Sequence, residues 1–306
     1  MEERRDRGLS QSKINWILLL LFGVCWGLTI PLSKVATSTG HQPIGLIFWQ
    51  LLITIIILVV PTMVRKLPMP LSARHLSYYF GIALIGTLIP GTFSFWSYAY
   101  LPAGIVAIVI AMVPMFAFVI ALMLGQEIFR YQRLTGIFLG VFALMLIALP
   151  KASLPENVGM ALLILPLVTA IAYGAEGSFI SKFDPNDTNP ITSLLVASVL
   201  GIFVAAPIAF FRGDFVDLSG TWGKAEVALV CGSALHGVTY AGFIWLIKRA
   251  GPVFSSQIAY IVTLAAVFIS WLFLNETYAW TIWFALVLMV AGLWLVQPNI
   301  NADEEA

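Results

Sequence analysis

Apolar residues run through this chain in stretches of about twenty, and the polar residues gather in the short gaps between them. Ten such stretches can be marked off: 16–35, 44–64, 79–98, 104–124 and 133–149, then 159–181, 191–211, 225–247, 253–274 and 278–296. Each suits an α-helix crossing the hydrocarbon core of a bilayer, which takes about 20 residues. No charged residue falls between Leu76 and Gln126, a span too long for one crossing, so a break is expected at Leu101-Pro102-Ala103-Gly104. The matching break in the second half is Lys248-Arg249-Ala250-Gly251-Pro252. The pattern predicts an all-α membrane protein of ten transmembrane helices.

The chain is also written twice. Trp96 to Glu127 and Trp245 to Glu276 are runs of equal length at a gap-free offset of 149 residues. Helix one carries Trp26-Gly27 and then Ser33-Lys34, and helix six carries Tyr173-Gly174 and then Ser181-Lys182. The expected organisation is an N-terminal arm (1–15), a first five-helix repeat (16–150), a second (151–298) and a tail (299–306). Five helices per repeat is an odd number, so the second copy enters the membrane from the opposite side and the repeats are inverted. Repeats of this kind pack around a shared central site and rock against one another.

Composition strengthens the membrane assignment: 60% of residues are hydrophobic and 10% charged, against roughly a quarter charged in soluble domains. Orientation follows from Lys and Arg. With the N-terminus in the cytoplasm, twelve of the sixteen basic residues fall on the inner side, Arg130 and Arg133 among them, and four fall outside: Lys34, Lys151, Arg212 and Lys224. The expected location is a bacterial inner (cytoplasmic) membrane with both termini cytoplasmic. The arm is too polar to read as a cleaved signal peptide, so targeting is expected from the first membrane helix. Cys25 and Cys231 both fall inside spans and show no disulfide, haem or zinc pattern. No cofactor or metal is expected, and the charge pattern gives no reason to propose a nucleic-acid partner.

Taken together, Trp26-Gly27 and Lys34, then Leu124-Gly125-Gln126-Glu127 leading into Thr135-Gly136-Ile137-Phe138-Leu139-Gly140-Val141, resemble the EamA-like branch of the drug/metabolite transporter superfamily. The second copy, Leu274-Asn275-Glu276 leading to Val290-Ala291-Gly292, resembles the same repeat, and the likeness runs from Trp16 to Pro298. It implies ten helices in two inverted repeats, alternating access, and export or exchange of small polar metabolites, amino acids often among them. Many members carry a basic residue in helix two where this chain reads Phe48-Trp49-Gln50-Leu51, so an anion-binding role there is not expected.

Ionisable groups in mid-membrane cost about 2.5–3.5 kcal/mol or more to insert and need a partner, water or a purpose. Two qualify: Glu176 in helix six and His236 in helix eight. Glu176 aligns with Thr29, and Tyr173 with Trp26, so each repeat presents an aromatic and a polar residue three apart on one helical face. A carboxylate beside aromatic rings suits an ammonium group or a coupling proton; the alternative is a protonated Glu176 bonded to a neighbouring helix. His236 shares a face with Tyr240. Trp96, Trp245, Gln257 and Tyr260 complete the substrate or coupling candidates, with Pro31, Pro90 and Pro114 as hinges or helix breaks. Glu127 and Glu276 are expected to cap the helices that follow them, and His41 and His75 to be solvated loop residues.

The leading expectation is a secondary transporter of a small polar metabolite, an amino acid or amine, with the lipid bilayer as its setting. A sugar, nucleoside or carboxylate is the alternative substrate. An intramembrane enzyme or sensor has poor support, because no nucleophile–base pair or soluble output domain is visible. Oligomeric state is left open, since the Gly- and Ala-rich helices four, five, nine and ten suit packing between halves or between protomers.

Overall fold

The computed structural model describes residues 2–148, 160–250, 255 and 257–296, with side chains described from Lys13 onward except at 247 and 248. Among these residues all regular structure is helical. The first half contributes α1 (Glu2–Ala36), α2 (Pro43–Val64), α3 (Ala73–Gly81), a π-helical turn (Ile82–Leu88), α4 (Ile89–Tyr100), α5 (Ala103–Ile110), α6 (Val113–Met123) and α7 (Tyr131–Ile147). The second contributes a short 3₁₀ turn (Met160–Leu163), α8 (Ile164–Phe183), α9 (Pro190–Arg212), α10 (Lys224–Ala250), α11 (Ile258–Phe273) and α12 (Trp280–Val296).

Among the described residues seven helical stretches are long and apolar enough to cross a membrane, and α7, α11 and α12 are apolar but shorter. The protein is therefore an all-helical membrane protein, and these helices fall on the stretches that hydropathy picks out. The expected break at Leu101-Pro102 is present: α4 stops at Tyr100 and Pro102 precedes α5. The stretch read as one helix over 104–124 has a joint at Ala111-Met112, with Pro114 in the first turn of α6, where a missing N–H costs nothing. α10 runs to Ala250, beyond the expected end at 247. Gly251-Pro252, the helix start at 253, Lys151, the boundary between halves at 150 and the tail 299–306 lie outside the described residues.

Pro90 does not interrupt its helix. The distortion lies just before it, as the π turn, because a proline lacks the N–H that would bond the carbonyl four residues back and its ring crowds that carbonyl. Pro31 is likewise accommodated inside α1.

The principal helix pairings join one half to the other. α1 packs on α10 and α11, α2 on α9 and α10, α4 and α6 on α8, α5 on α11, and α7 along α12. The last pair rests on glycines: a Cβ at Gly292 would stand 2.7 Å from the Gly136 carbonyl oxygen. Helices five and ten of the sequence reading thus pack against each other, between the halves.

Candidate functional site

The interlocked halves enclose a cavity of about 650 Å³ bordered by α1, α2, α4 to α8 and α10 to α12. Glu176, in the middle of α8 and 6% exposed, is the acid on its wall that lies deepest in a span. The Tyr240 hydroxyl donates to its Oε1. Space for the carboxyl comes from the π turn across the way, since a side chain at Gly86 would run into both Glu176 Oε1 and the Tyr240 hydroxyl. Among the described residues Glu176 has no Lys or Arg partner. A buried carboxylate without a counter-ion is strongly disfavoured, so the site must supply it with a proton or a cation.

Tyr240, which reaches that carboxyl, belongs to a cluster of three rings. Trp26 on α1 lies 5.8 Å, centre to centre, from both His236 and Tyr240 on α10, which are 5.7 Å apart. Residues four apart share a helical face, so α10 presents both rings to α1. Among the described residues the His236 ring makes no hydrogen bond, and it borders the cavity.

Six of the substrate or coupling candidates therefore line the one cavity, Trp26, Thr29, Tyr173, Glu176, His236 and Tyr240, and so does the hinge candidate Pro114. Trp96 and Trp245 do not. They are 37% and 39% exposed, Trp96 resting on Phe93 and Trp245 beneath the Arg249 guanidinium. At about 100° per residue, Trp96 points about 160° away from Ser94, which does line the cavity, and Trp245 about 140° from Tyr240. Gln257 immediately precedes α11, and Tyr260 packs into the core, its buried hydroxyl unpartnered among the described residues. Pro31 and Pro90 are also off the wall.

Two wall residues escaped the sequence reading. Gln50 on α2 is 8% exposed, and its amide makes no hydrogen bond among the described residues. The signal available was an amide inside a membrane-length apolar run. Arg133 was counted with the inner-side charges, yet it is buried against the cavity and paired with Glu127 at 2.8 Å.

The two ends of the cavity differ. At one end its lining includes Gln126 and Asn186, both exposed, so the cavity reaches the surface there. At the other, Ala36, Ala228 and Leu229 are buried and the chain is tied shut. Lys34 Nζ donates to the carbonyls of Tyr98 (2.6 Å) and Leu101 (2.9 Å) at the end of α4. Glu276 accepts from the N–H groups of Ala103 (2.7 Å) and Gly104 (3.1 Å) at the start of α5, and from the Tyr278 hydroxyl. A cation on free carbonyls and an anion on free N–H groups is the favourable placement at helix ends. The carboxylates thus differ from expectation: Glu276 caps a helix of the other half, and Glu127 pairs with a side chain.

The histidines expected in solvent are also engaged. His41 Nε2 lies 3.0 Å from Glu226 Oε1 at the closed end. At the open end, His75 is buried in the first turn of α3, between Ser72 Oγ (2.7 Å) and Asp187 Oδ1 (2.8 Å). The His75 hydrogen bond holds the Asp187 carboxyl below its ordinary pKa.

A sequence profile described as the EamA-like transporter family matches residues 14–149 and again 160–297. An uncharacterized transporter of Archaeoglobus fulgidus is 25% identical over 207 residues, which is 67% of this chain and 70% of that one. A protein of known crystal structure, 14% identical, superposes with a TM-score of 0.61 over 93% of this chain and 97% of its own; that likeness concerns the fold alone.

Proposed function

The chain belongs to the EamA-like transporter family, and from that membership we propose that it is a secondary active transporter of a small solute bearing an ammonium group, an amino acid or an amine, exported or exchanged by alternating access. The observation that carries this reading is the Glu176 carboxyl, buried on the cavity wall without a cationic partner among the described residues and bonded to Tyr240, against whose ring Trp26 and His236 cluster on the same cavity. An ammonium group is drawn by the carboxylate and by the faces of the rings, the latter adding about 0.5–2 kcal/mol. In the solute's absence Glu176 is the place for a coupling proton.

Ten membrane helices in two inverted repeats provide the moving parts. Exchanging α1 with α8, α2 with α9, α3/α4 with α10, α5/α6 with α11 and α7 with α12 supports this. Under that exchange the α1–α10 contact becomes α8–α4, α1–α11 becomes α8–α6, and α2–α9, α5–α11 and α7–α12 map onto themselves. The histidine pairs obey the same rule: His41 follows α1 and meets the start of α10, while Asp187 follows α8 and meets the start of α3. With both termini in the cytoplasm of a bacterial inner membrane, as the Lys and Arg distribution favours, the open end of the cavity faces the cytoplasm.

Counterflow in proteoliposomes with labelled amino acids, amines, nucleosides and carboxylates tests the substrate class. Exchange of ammonium-bearing solutes is expected. Exchange confined to solutes lacking that group overturns the reading.

A further inference from the structure

A second charged group on the cavity wall is left unexplained by a solute held through its ammonium alone. Arg133 is 3% exposed and borders the same cavity as Glu176. Its Nη1 donates to Glu127 Oε2 at 2.8 Å, and its guanidinium lies 4.9 Å from the centre of the Phe118 ring. Its Nε–H is buried and finds no acceptor among the described residues. Leaving a buried donor unsatisfied is costly, and more so where the group is charged.

Helix-end electrostatics do not account for this placement. Arg133 is the third residue of α7, and a cation in the first turn of a helix opposes the helix dipole. Glu127 neutralises the charge, but its side chain is 35% exposed against 4% for Arg133. The arginine is fixed in the wall, therefore, while its counter-ion stands partly in water. Gln126 Nε2 donates to the Ser178 carbonyl at 3.4 Å, which sets the turn that precedes α7 beside the part of α8 two residues beyond Glu176. The wall of the one cavity thus carries the base Arg133 as well as the acid Glu176.

We propose that Arg133 is the anion-binding half of a two-point site, taking the carboxylate of a dipolar solute whose ammonium group is held at Glu176. The guanidinium is a planar fork of five donors matched to a carboxylate, and an incoming carboxylate supplies the acceptor that Nε lacks. Glu127 gives way toward solvent as the solute enters and re-forms the pair as it leaves. This narrows the substrate class from ammonium-bearing solutes in general to zwitterions, and it rests on the reading of Glu176 given above.

The test is counterflow with an α-amino acid, the amine left on removing its carboxyl, and a plain carboxylate, run on the parent, Arg133→Gln and Arg133→Lys. The Gln variant is expected to raise the ratio of the amino acid KM to the amine KM tenfold or more, with Lys in between because it keeps the charge and loses the fork. The double variant Arg133→Gln with Glu127→Gln removes both charges, so no lone acid is left behind, and should show the same raised ratio. An unaltered ratio in the double variant overturns the proposal. If the parent exchanges neither ammonium-bearing solute, the Glu176 reading fails separately. In that case a carboxylate exchanged by the parent and lost in Arg133→Gln supports Arg133 as an anion site, and one retained overturns it.

Discussion

Replacing Glu276 with alanine should unlatch the closed end of the cavity. Its carboxylate accepts two backbone N–H groups at the start of α5, at 2.7 and 3.1 Å, and the Tyr278 hydroxyl at 2.6 Å. Hydrogen bonds to a charged group contribute about 1.5–3 kcal/mol each; for a half-buried acid the low end applies, giving about 3 kcal/mol for the two backbone bonds together. In a two-state transporter only the conformation closed at this end contains them, so their loss shifts the equilibrium toward the opposite state by the same amount. At tenfold per 1.4 kcal/mol that is about 140-fold. With Cys25 and Cys231 replaced, a single cysteine at Ser33 on the cavity wall reports the change through its reaction with a membrane-impermeant maleimide added from the Glu276 side. Labelling should be slow in the parent and faster by up to that factor in Glu276→Ala. Glu276→Gln, which keeps an acceptor oxygen, should fall between. Equal rates in parent and alanine variant, in protein that still elutes as one species, would refute the latch.

Gly86→Ala places a methyl against Glu176 and the Tyr240 hydroxyl, so transport is expected to fall at least tenfold in counterflow while the thermal midpoint changes little. Gly292→Val wedges α7 from α12; overpacking of this kind costs about 1–3 kcal/mol, and a lowered midpoint in detergent is the readout. Asp187 has its folded-state pKa depressed by His75, so its share of stability is present above the ordinary aspartate value of 3.8 and is lost as pH falls through the depressed one. Asp187→Asn should flatten that acid limb of the midpoint–pH curve, and an unchanged limb would count against the pairing.

The helices were legible because a bilayer demands long uncharged apolar runs, and the Leu101-Pro102 break because proline cannot continue a helix within a run too long for one crossing. Glu176 and His236 stood out since ionisable groups are rare in such runs. What sequence spacing lacked was the angle of each helix about its axis. Trp26 and Trp96 read alike as deep tryptophans, and only packing turns one inward and the other out. Partners distant in sequence were equally hidden: Glu276 with Ala103 and Gly104, His75 with Asp187, and Arg133 with Phe118. Arg133 beside a helix end is indistinguishable in sequence from a solvated charge. Pro90 reads in sequence as the break itself, whereas the distortion is the π turn before it, because a proline disturbs the turn that precedes it.

The most direct test of the central claim is exchange of a labelled ammonium-bearing solute by the parent and by Glu176→Gln in matched proteoliposomes. The amide keeps the size and an acceptor for Tyr240 but holds neither the negative charge nor a titrating proton. Loss of exchange in the variant, with its elution and thermal midpoint retained, is the expected result; exchange at the parent's rate and KM would contradict Glu176 as the substrate or proton site.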